Sequence, residues 1–284
     1  MTTPAVEICH DSAAVAAKTA DLVIRASQAA IRRRGRCTLV LAGGSTPEQT
    51  YRLLAERAAG TGVDWARTYV FFGDERFVPP DDARSNFGMA RRTLLAQVAI
   101  PADQVFPIPT HGRSAAESAV AYTADLARCF GTDADGPPPC LDLILLGLGD
   151  DGHTASLFPG AAALQVRSDW VTWSPPGVLP PPVDRITLTY PVLNAAREII
   201  FVVAGRTKAA AMRDVLEGHA PREQRPAAGV QPSDGTVTWV ADADAASLLA
   251  RSQTGAAAAS DTGHVAQRRG APHDAEQRSG RNLL

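Results

Sequence analysis

One stretch limits what this chain can fold into more than any other: Leu141 to Gly160, LDLILLGLGDDGHTASLFPG. Its apolar run, Leu141 to Leu146, is continuous rather than alternating and stops at Gly147. A run of that kind has both faces covered and reads as a buried strand of a parallel sheet. Open α/β sheets hold their ligands beyond the carboxyl ends of the strands. Beyond this strand lie Asp150, Asp151 and His153, in a turn with Gly149 and Gly152. A lone histidine usually caps or lines a turn. An acid two residues before it, at a strand end, favours a functional His153.

The same turn contains a decoy. GLGDDG satisfies the dinucleotide pattern G-x-G-x-x-G, which needs a strand before it and a full helix after it. Pro159 and Gly160 stop any helix within about two turns. The two acids would also repel a pyrophosphate. A nicotinamide or flavin site is therefore disfavoured, and no cofactor is expected.

Other segments repeat the strand–glycine–helix theme. Asp11 is expected to cap a helix to about Arg34, stopped by Gly35, with Val15, Leu22 and Ala26 at helical spacing. Cys37 to Ala42 reads as a strand running into Gly43-Gly44-Ser45-Thr46-Pro47. Thr46 and Gln49 suggest a capping box, with Pro47 at the first helical position. Free N–H groups at such a helix start suit a phosphate, although many strand–helix turns bind nothing. Thr68 to Phe72 reads as a strand ending at Gly73-Asp74-Glu75-Arg76. That triplet is either a solvated salt-bridged turn or, by its position, a sugar- or carbonyl-binding group. Ser85 is expected to cap one helix and Ser114, with Glu117, another to about Phe130.

Short strands are expected at Val105 to Ile108, Arg185 to Tyr190, Glu198 to Ala204 and Thr236 to Ala241, with Asp242 capping a last short helix. Trp170 and Trp173 read as packing residues. After Glu198 to Ala204 comes Gly205-Arg206-Thr207-Lys208, opening a helix that Gly218 ends. A lysine in a first turn opposes the helix dipole, so Lys208 is a candidate partner for an anion.

With 284 residues, 45% of them hydrophobic, the chain can bury a substantial core. Its net charge of -2 argues against general nucleic-acid binding. No apolar run has the length of a membrane span, and no secretory signal is visible. Cys9, Cys37, Cys129 and Cys140 form no C-x-x-C pair and read as reduced thiols of a cytoplasmic protein. No metal-ligand spacing is present. Residues 251–284 are poor in apolar side chains and read as a disordered tail behind one α/β domain, residues 1–250. Strands alternating with helices imply a mostly parallel, Rossmann-like sheet in a three-layer α/β/α arrangement.

LAGGSTPEQTYRLLA, FFGDERFVPPDDARSNFGMARRTLL, LDLILLGLGDDGHTASLFPG, RITLTYPVLNAAREIIFVVAGRTKA and TVTWVADADAASLL, in this order, resemble the 6-phosphogluconolactonase family. The resemblance spans about residues 8 to 250. It implies a deaminase/isomerase-like fold and metal-independent hydrolysis of 6-phospho-D-glucono-1,5-lactone in the oxidative pentose phosphate pathway. The partner implied is the phosphosugar lactone alone, with the protein a monomer or weak homo-oligomer.

Glucosamine-6-phosphate deaminases resemble the same motifs but carry a glutamate after the histidine. Here His153 to Pro159 holds no acid, which argues against ring isomerisation. A non-catalytic sugar-phosphate sensor is a third reading. Under the lactonase reading His153 is the general base, Asp151 orients it, Asp74 orients water or hydroxyls, and Arg76 stabilises the developing oxyanion. Gly43, Gly44, Ser45 and Thr46, with Arg185 and Lys208, hold the phosphate.

Overall fold

The computed structural model describes residues 4–58, 62–175, 182–218 and 220–250. The expected tail, residues 251–284, lies outside the described residues. In chain order the elements are β1 (Ala5–Cys9), α1 (Ser12–Arg34), β2 (Cys37–Leu41), α2 (Ser45–Glu56), β3 (Thr68–Phe72), β4 (Asp74–Arg76), α3 (Asn86–Ala90) and α4 (Ala115–Phe130). Then follow β5 (Leu143–Leu146), β6 (Val171–Ser174), β7 (Arg185–Leu188), α5 (Tyr190–Asn194), β8 (Glu198–Val203), α6 (Ala209–Leu216) and β9 (Thr236–Asp242).

Six strands form one parallel sheet in the order β1-β9-β8-β5-β2-β3. Every residue of β2 and of β5 is buried, so the sheet is covered on both faces as the continuous apolar runs require. The chain leaves β2 toward β3 on one side and returns to β5 on the other. β2 and β5 are neighbours, joined at Leu39↔Leu143 and Val40↔Ile144. The turns after these two strands therefore open at the switch point of the sheet, where such folds bind ligands.

Helix caps follow the local chemistry. The Asp11 side chain accepts from Ala14 N, and Gly35 at φ 77 closes α1. Ser114 and Glu117 cap each other's backbone at the start of α4. The buried stripe of α1 runs through Val15, Thr19, Val23, Ser27 and Ala30, with Leu22 and Ala26 flanking it rather than central.

Several expectations change. β1 was not anticipated; it is a half-exposed edge strand whose partner, β9, lies at the far end of the chain. The triplet Asp74–Arg76 and the run at Arg185 belong to a second sheet, antiparallel, in the order β4-β7-β6. Three residues carry no readable period, and their partner is distant in sequence. Val105 makes one parallel bridge to Val70 instead of a strand, since Pro107 and Pro109 lack the N–H a ladder needs. Asp242 caps turns rather than a helix, accepting from Ala245 N and Gly205 N. Trp170 is buried, but Trp173 is 42% exposed and is not a core residue. Among the described residues no helix is long and apolar enough to cross a membrane.

Candidate active site

The strands entering the site end on tyrosine clamps. The Tyr51 hydroxyl accepts from Ala42 N at 2.8 Å and donates to Ala42 O at 2.7 Å. The Tyr122 hydroxyl does the same for Phe72, at 2.7 and 3.1 Å. Each clamp satisfies both backbone groups of the residue just before a site glycine, Gly43 or Gly73. Burial pushes both phenols well above their ordinary range, so they remain neutral donors and acceptors.

Helix α2 starts two residues earlier than the capping-box reading. Gly44, at φ 109, is the N-cap and no side chain caps the helix, so the Thr46–Gln49 box is absent. An L-residue is disfavoured at that φ, which explains a glycine where a serine or threonine is common. The first N–H groups of α2, from Ser45 and Thr46, have no intrahelical acceptor by geometry. Gly43 is required for another reason: a Cβ there would overlap the Asn86 carboxamide.

Asn86 organises the second strand end. Its Nδ2 donates to Asp74 O at 2.9 Å and to Asp74 Oδ1 at 3.3 Å, and its Oδ1 accepts from Arg76 Nη1 at 2.6 Å. Asp74 Oδ2 accepts from the buried Ser156 hydroxyl at 2.6 Å. Both Asp74 carboxylate oxygens are thus engaged. Glu75 points elsewhere. Its carboxylate accepts from Arg76 N, Asn86 N, Phe87 N and the Ser85 hydroxyl. Burial raises its pKa against the pull of these bonds. Glu75 is a structural anchor at the start of α3.

Arg76 and Arg185 face each other across the β4–β7 ladder. Burial lowers the Arg185 pKa, and the Arg76 charge adds to this, while Asp74 opposes it. Like charges at opposite positions repel, and the attraction of the Asp74 carboxylate for Arg185 outweighs the repulsion from Arg76. The two arginines give the cavity wall its positive charge.

The turn after β5 builds the third part. Asp151 Oδ1 accepts from His153 N at 3.0 Å and lies 2.6 Å from His153 Nδ1. Burial would raise the Asp151 pKa, but the His153 hydrogen bonds outweigh it and hold the carboxyl below its usual range. An ionised carboxylate only accepts. Nδ1 therefore carries the proton, and the neutral ring presents Nε2 as its lone pair. A Cβ on Gly149 would overlap both Nδ1 of His153 and Oδ1 of Asp151, so the second glycine of the false dinucleotide motif makes room for this pair. The Phe158 ring lies 4.8 Å from the imidazole, and the Arg185 guanidinium lies 5.8 Å from the centroid of the same Phe158 ring. Ala155, at φ 47, is the one non-glycine residue with positive φ among the described residues. It stands beside the site, where such strain concentrates.

These three turns close on a cavity of about 190 Å³. Of the residues expected to act, Gly43, Gly44, Asp74, Arg76, His153 and Arg185 line it. Ser45, Thr46, Asp151 and Lys208 do not. Asp151 stands behind His153. Lys208 ends a single 3-10 turn, Arg206–Lys208, at the start of α6. Asn86 and Ala155 also line the cavity and were not foreseen as site residues. The position of Asn86 just after a helix-capping serine was the available signal for it. A larger cavity, about 510 Å³, lies between α6 and β9 under Val215, Val237 and Trp239; no titratable side chain lines it.

The family described as glucosamine-6-phosphate isomerases/6-phosphogluconolactonase matches residues 10–239. A protein named 6-phosphogluconolactonase from Nostoc sp. is 41% identical over 244 residues, covering 86% of this chain and 98% of that protein. One of the same name from Homo sapiens is 40% identical over 246 residues, covering 86% and 93%. The solved structure of 6-phosphogluconolactonase from Trypanosoma brucei superposes with a TM-score of 0.80 at 30% identity, covering 88% of this chain and 100% of that one.

Proposed function

The chain belongs to the glucosamine-6-phosphate isomerase/6-phosphogluconolactonase family, and from that premise we propose that it hydrolyses 6-phospho-D-glucono-1,5-lactone to 6-phospho-D-gluconate, the second step of the oxidative pentose phosphate pathway. The observation that carries this reading is the Asp151–His153 pair: an imidazole held with its proton on Nδ1 and its lone pair on Nε2, in a cavity rich in cations.

In the proposed reaction water attacks C1 of the lactone. His153 Nε2 takes the proton as the C–O bond forms, a general-base contribution of roughly 10²–10⁴-fold. Asp151 stabilises the imidazolium. As the tetrahedral intermediate collapses, the bond from C1 to the ring oxygen breaks and the imidazolium returns the proton to that oxygen. A δ-lactone is already an activated ester, so no covalent nucleophile is needed. Asp74, held by Asn86 and Ser156, presents its remaining lone pairs to substrate hydroxyls rather than serving as the base.

The phosphate end is assigned to the glycine turn at Gly43 and Gly44, the N–H groups of Ser45 and Thr46, and Arg185. Arg76 was expected at the carbonyl end. Its bond to Asn86, which abuts Gly43, argues for a share in the phosphate instead. Lys208, outside the cavity lining at the N-cap of α6, is assigned an outer charge for the phosphate.

Ring isomerisation is the weaker reading. The segment from His153 to Pro159 has no carboxylate to assist it, and its two buried hydroxyls are committed, Ser156 to Asp74 and Thr154 to the Gly147 carbonyl. The four cysteines are free thiols, which suits a cytoplasmic enzyme. The test is direct. Glucose-6-phosphate dehydrogenase generates the lactone, and its loss is followed with and without the protein. Acceleration over spontaneous decay supports the proposal; tight binding without turnover, or release of a ketose, rejects it.

A further inference from the structure

The catalytic turn has a second grip on it, from outside the cavity. Arg225 precedes a 3-10 turn, Pro226–Gly229, and its Nη1 donates to the carbonyl oxygen of Asp151 at 3.0 Å. Its Nε and Nη2 both donate to Asp214 Oδ2, at 3.1 and 2.9 Å. Asp214 belongs to α6 and is itself held through Oδ1 by Arg213. The next residue of the catalytic turn is tied to the same segment, since Ala227 N donates to Gly152 O at 2.9 Å. Gly152, at φ 84, completes the fit. A Cβ there would overlap Arg225 Cδ and lie 3.1 Å from Arg225 Cα. The last glycine of GLGDDG is therefore the seat of an arginine.

We infer that Arg225 is a positioning residue for the Asp151–His153 pair, an assignment that rests on reading His153 as the base. Its guanidinium touches neither imidazole nor cavity. It fixes the main chain of Asp151, and that fixes where the carboxylate meets Nδ1. The side chain is held because one oxygen of Asp214, Oδ2, accepts from two of its donors. The turn has other bonds, Gly149 N to His153 O at 2.8 Å and Ala227 N to Gly152 O, so losing Arg225 loosens the turn without dissolving it. Lys208 is the N-cap of α6, so the proposed outer phosphate charge stands just before the short helix that supplies Asp214 to the brace.

The experiment compares R225A, R225K and D214N in the full-length chain. Three readouts apply: kcat and KM for the lactone, Tm, and the downfield proton resonance that a short Nδ1–H···carboxylate bond produces. R225A is expected to lower kcat about ten- to a hundredfold, the cost of a misplaced base. KM should stay within about twofold, because Arg225 does not line the cavity. The resonance should broaden or vanish. R225K should recover part of both, since an ammonium can serve the Asp151 carbonyl or Asp214 but does not fork between them. D214N should shift kcat and the resonance in the same direction as R225A.

Unchanged kcat and an unchanged resonance in R225A overturn the inference. So does a rise in KM alone, which would make Arg225 a substrate contact. If R225A does not fold, D214N and R225K decide by the same criteria. Normal turnover in H153A would instead defeat the base assignment, while the resonance still judges whether Arg225 sets the Asp151–His153 geometry.

Discussion

Asp151 holds His153 at two points with a single oxygen: Oδ1 takes the main-chain N–H at 3.0 Å and meets ring Nδ1 at 2.6 Å. The first contact sets the backbone of the turn and the second sets the tautomer. One carboxylate oxygen thus couples the shape of the turn to the basicity of Nε2.

H153A is expected to lower kcat by roughly 10²–10⁴-fold, the usual yield of a general base. D151N should cost less, because an amide carbonyl still accepts the Nδ1 proton but no longer stabilises an imidazolium. Steady-state lactone hydrolysis measured above spontaneous decay checks both. Full turnover in H153A sinks the base assignment.

The same pair predicts a pH signature. The folded pKa of Asp151 lies below its unfolded value, so its contribution to stability is complete above the unfolded pKa, about 3.9. It disappears as pH falls through the folded value. The Tm difference between wild type and D151N should be constant near neutrality and shrink to zero on acidification below the ordinary carboxylate range. Thermal melts across that pH interval test the sign; a difference that grows on acidification contradicts it.

G149A should separate activity from stability. Its methyl would overlap the imidazole and the Asp151 carboxylate, so the pair must move. A displacement of about 1 Å at the reacting groups costs on the order of 10²-fold in rate, while overpacking costs about 1–3 kcal/mol. Comparison of kcat with denaturant midpoints gives the answer, and near-normal kcat would mean the turn tolerates the added methyl.

The tyrosine clamps make paired predictions. Y51F and Y122F each orphan a backbone N–H and C=O in the interior. Each should cost about 1–3 kcal/mol, or roughly 2–4 °C in Tm per kcal/mol at this size. Only Y51F borders the phosphate turn, so only Y51F should also raise KM. Calorimetry together with substrate titration distinguishes the two variants.

Glu75 should respond to a change of one atom. All four of its partners donate to it. E75Q turns an acceptor into a donor and sets N–H against N–H. A loss of about 1–3 kcal/mol is expected, with kcat falling through the shift of α3 and Asn86. An E75Q protein of wild-type stability would show that Glu75 is not the anchor of α3.

K208A and R185A probe the phosphate end. Losing one charge-assisted bond costs about 1.5–3 kcal/mol, or roughly ten- to a hundredfold in affinity. KM should rise and kcat fall less, although remote binding energy also supports turnover. Inorganic phosphate should compete with the substrate in wild type and more weakly in each variant. Equal competition in K208A would remove Lys208 from the phosphate site.

Much of this arrangement is legible in the sequence. Continuous apolar runs leading to a glycine are local signals, and β2, β3, β5 and β8 carry them. Caps are local too, so Asp11, Ser85 and Ser114 could be read directly. The pairing of Asp151 with His153 lies within three residues of chain. The strand at Arg185 could be read, but β1, β4, β6 and the antiparallel pairing β4-β7-β6 could not. Their stability comes from partners distant in sequence, and their own side-chain patterns are too short to show a period.

By itself the sequence determined a parallel α/β sheet, glycine turns at the carboxyl ends of its strands, and an acid–histidine pair in one of them, because each follows from forces acting over a few neighbouring residues. Tertiary structure alone decided that Arg76 faces Arg185, that Asn86 links the glycine turn to Asp74, and that Arg225 braces the Asp151 carbonyl. Those contacts join residues that only the strand order β1-β9-β8-β5-β2-β3 and the added antiparallel sheet bring together. The glycines of GLGDDG show the difference most clearly. Their spacing mimics a cofactor loop, yet Gly149 is there for the imidazole and Gly152 for an arginine more than seventy residues away, since only hydrogen fits where those side chains approach.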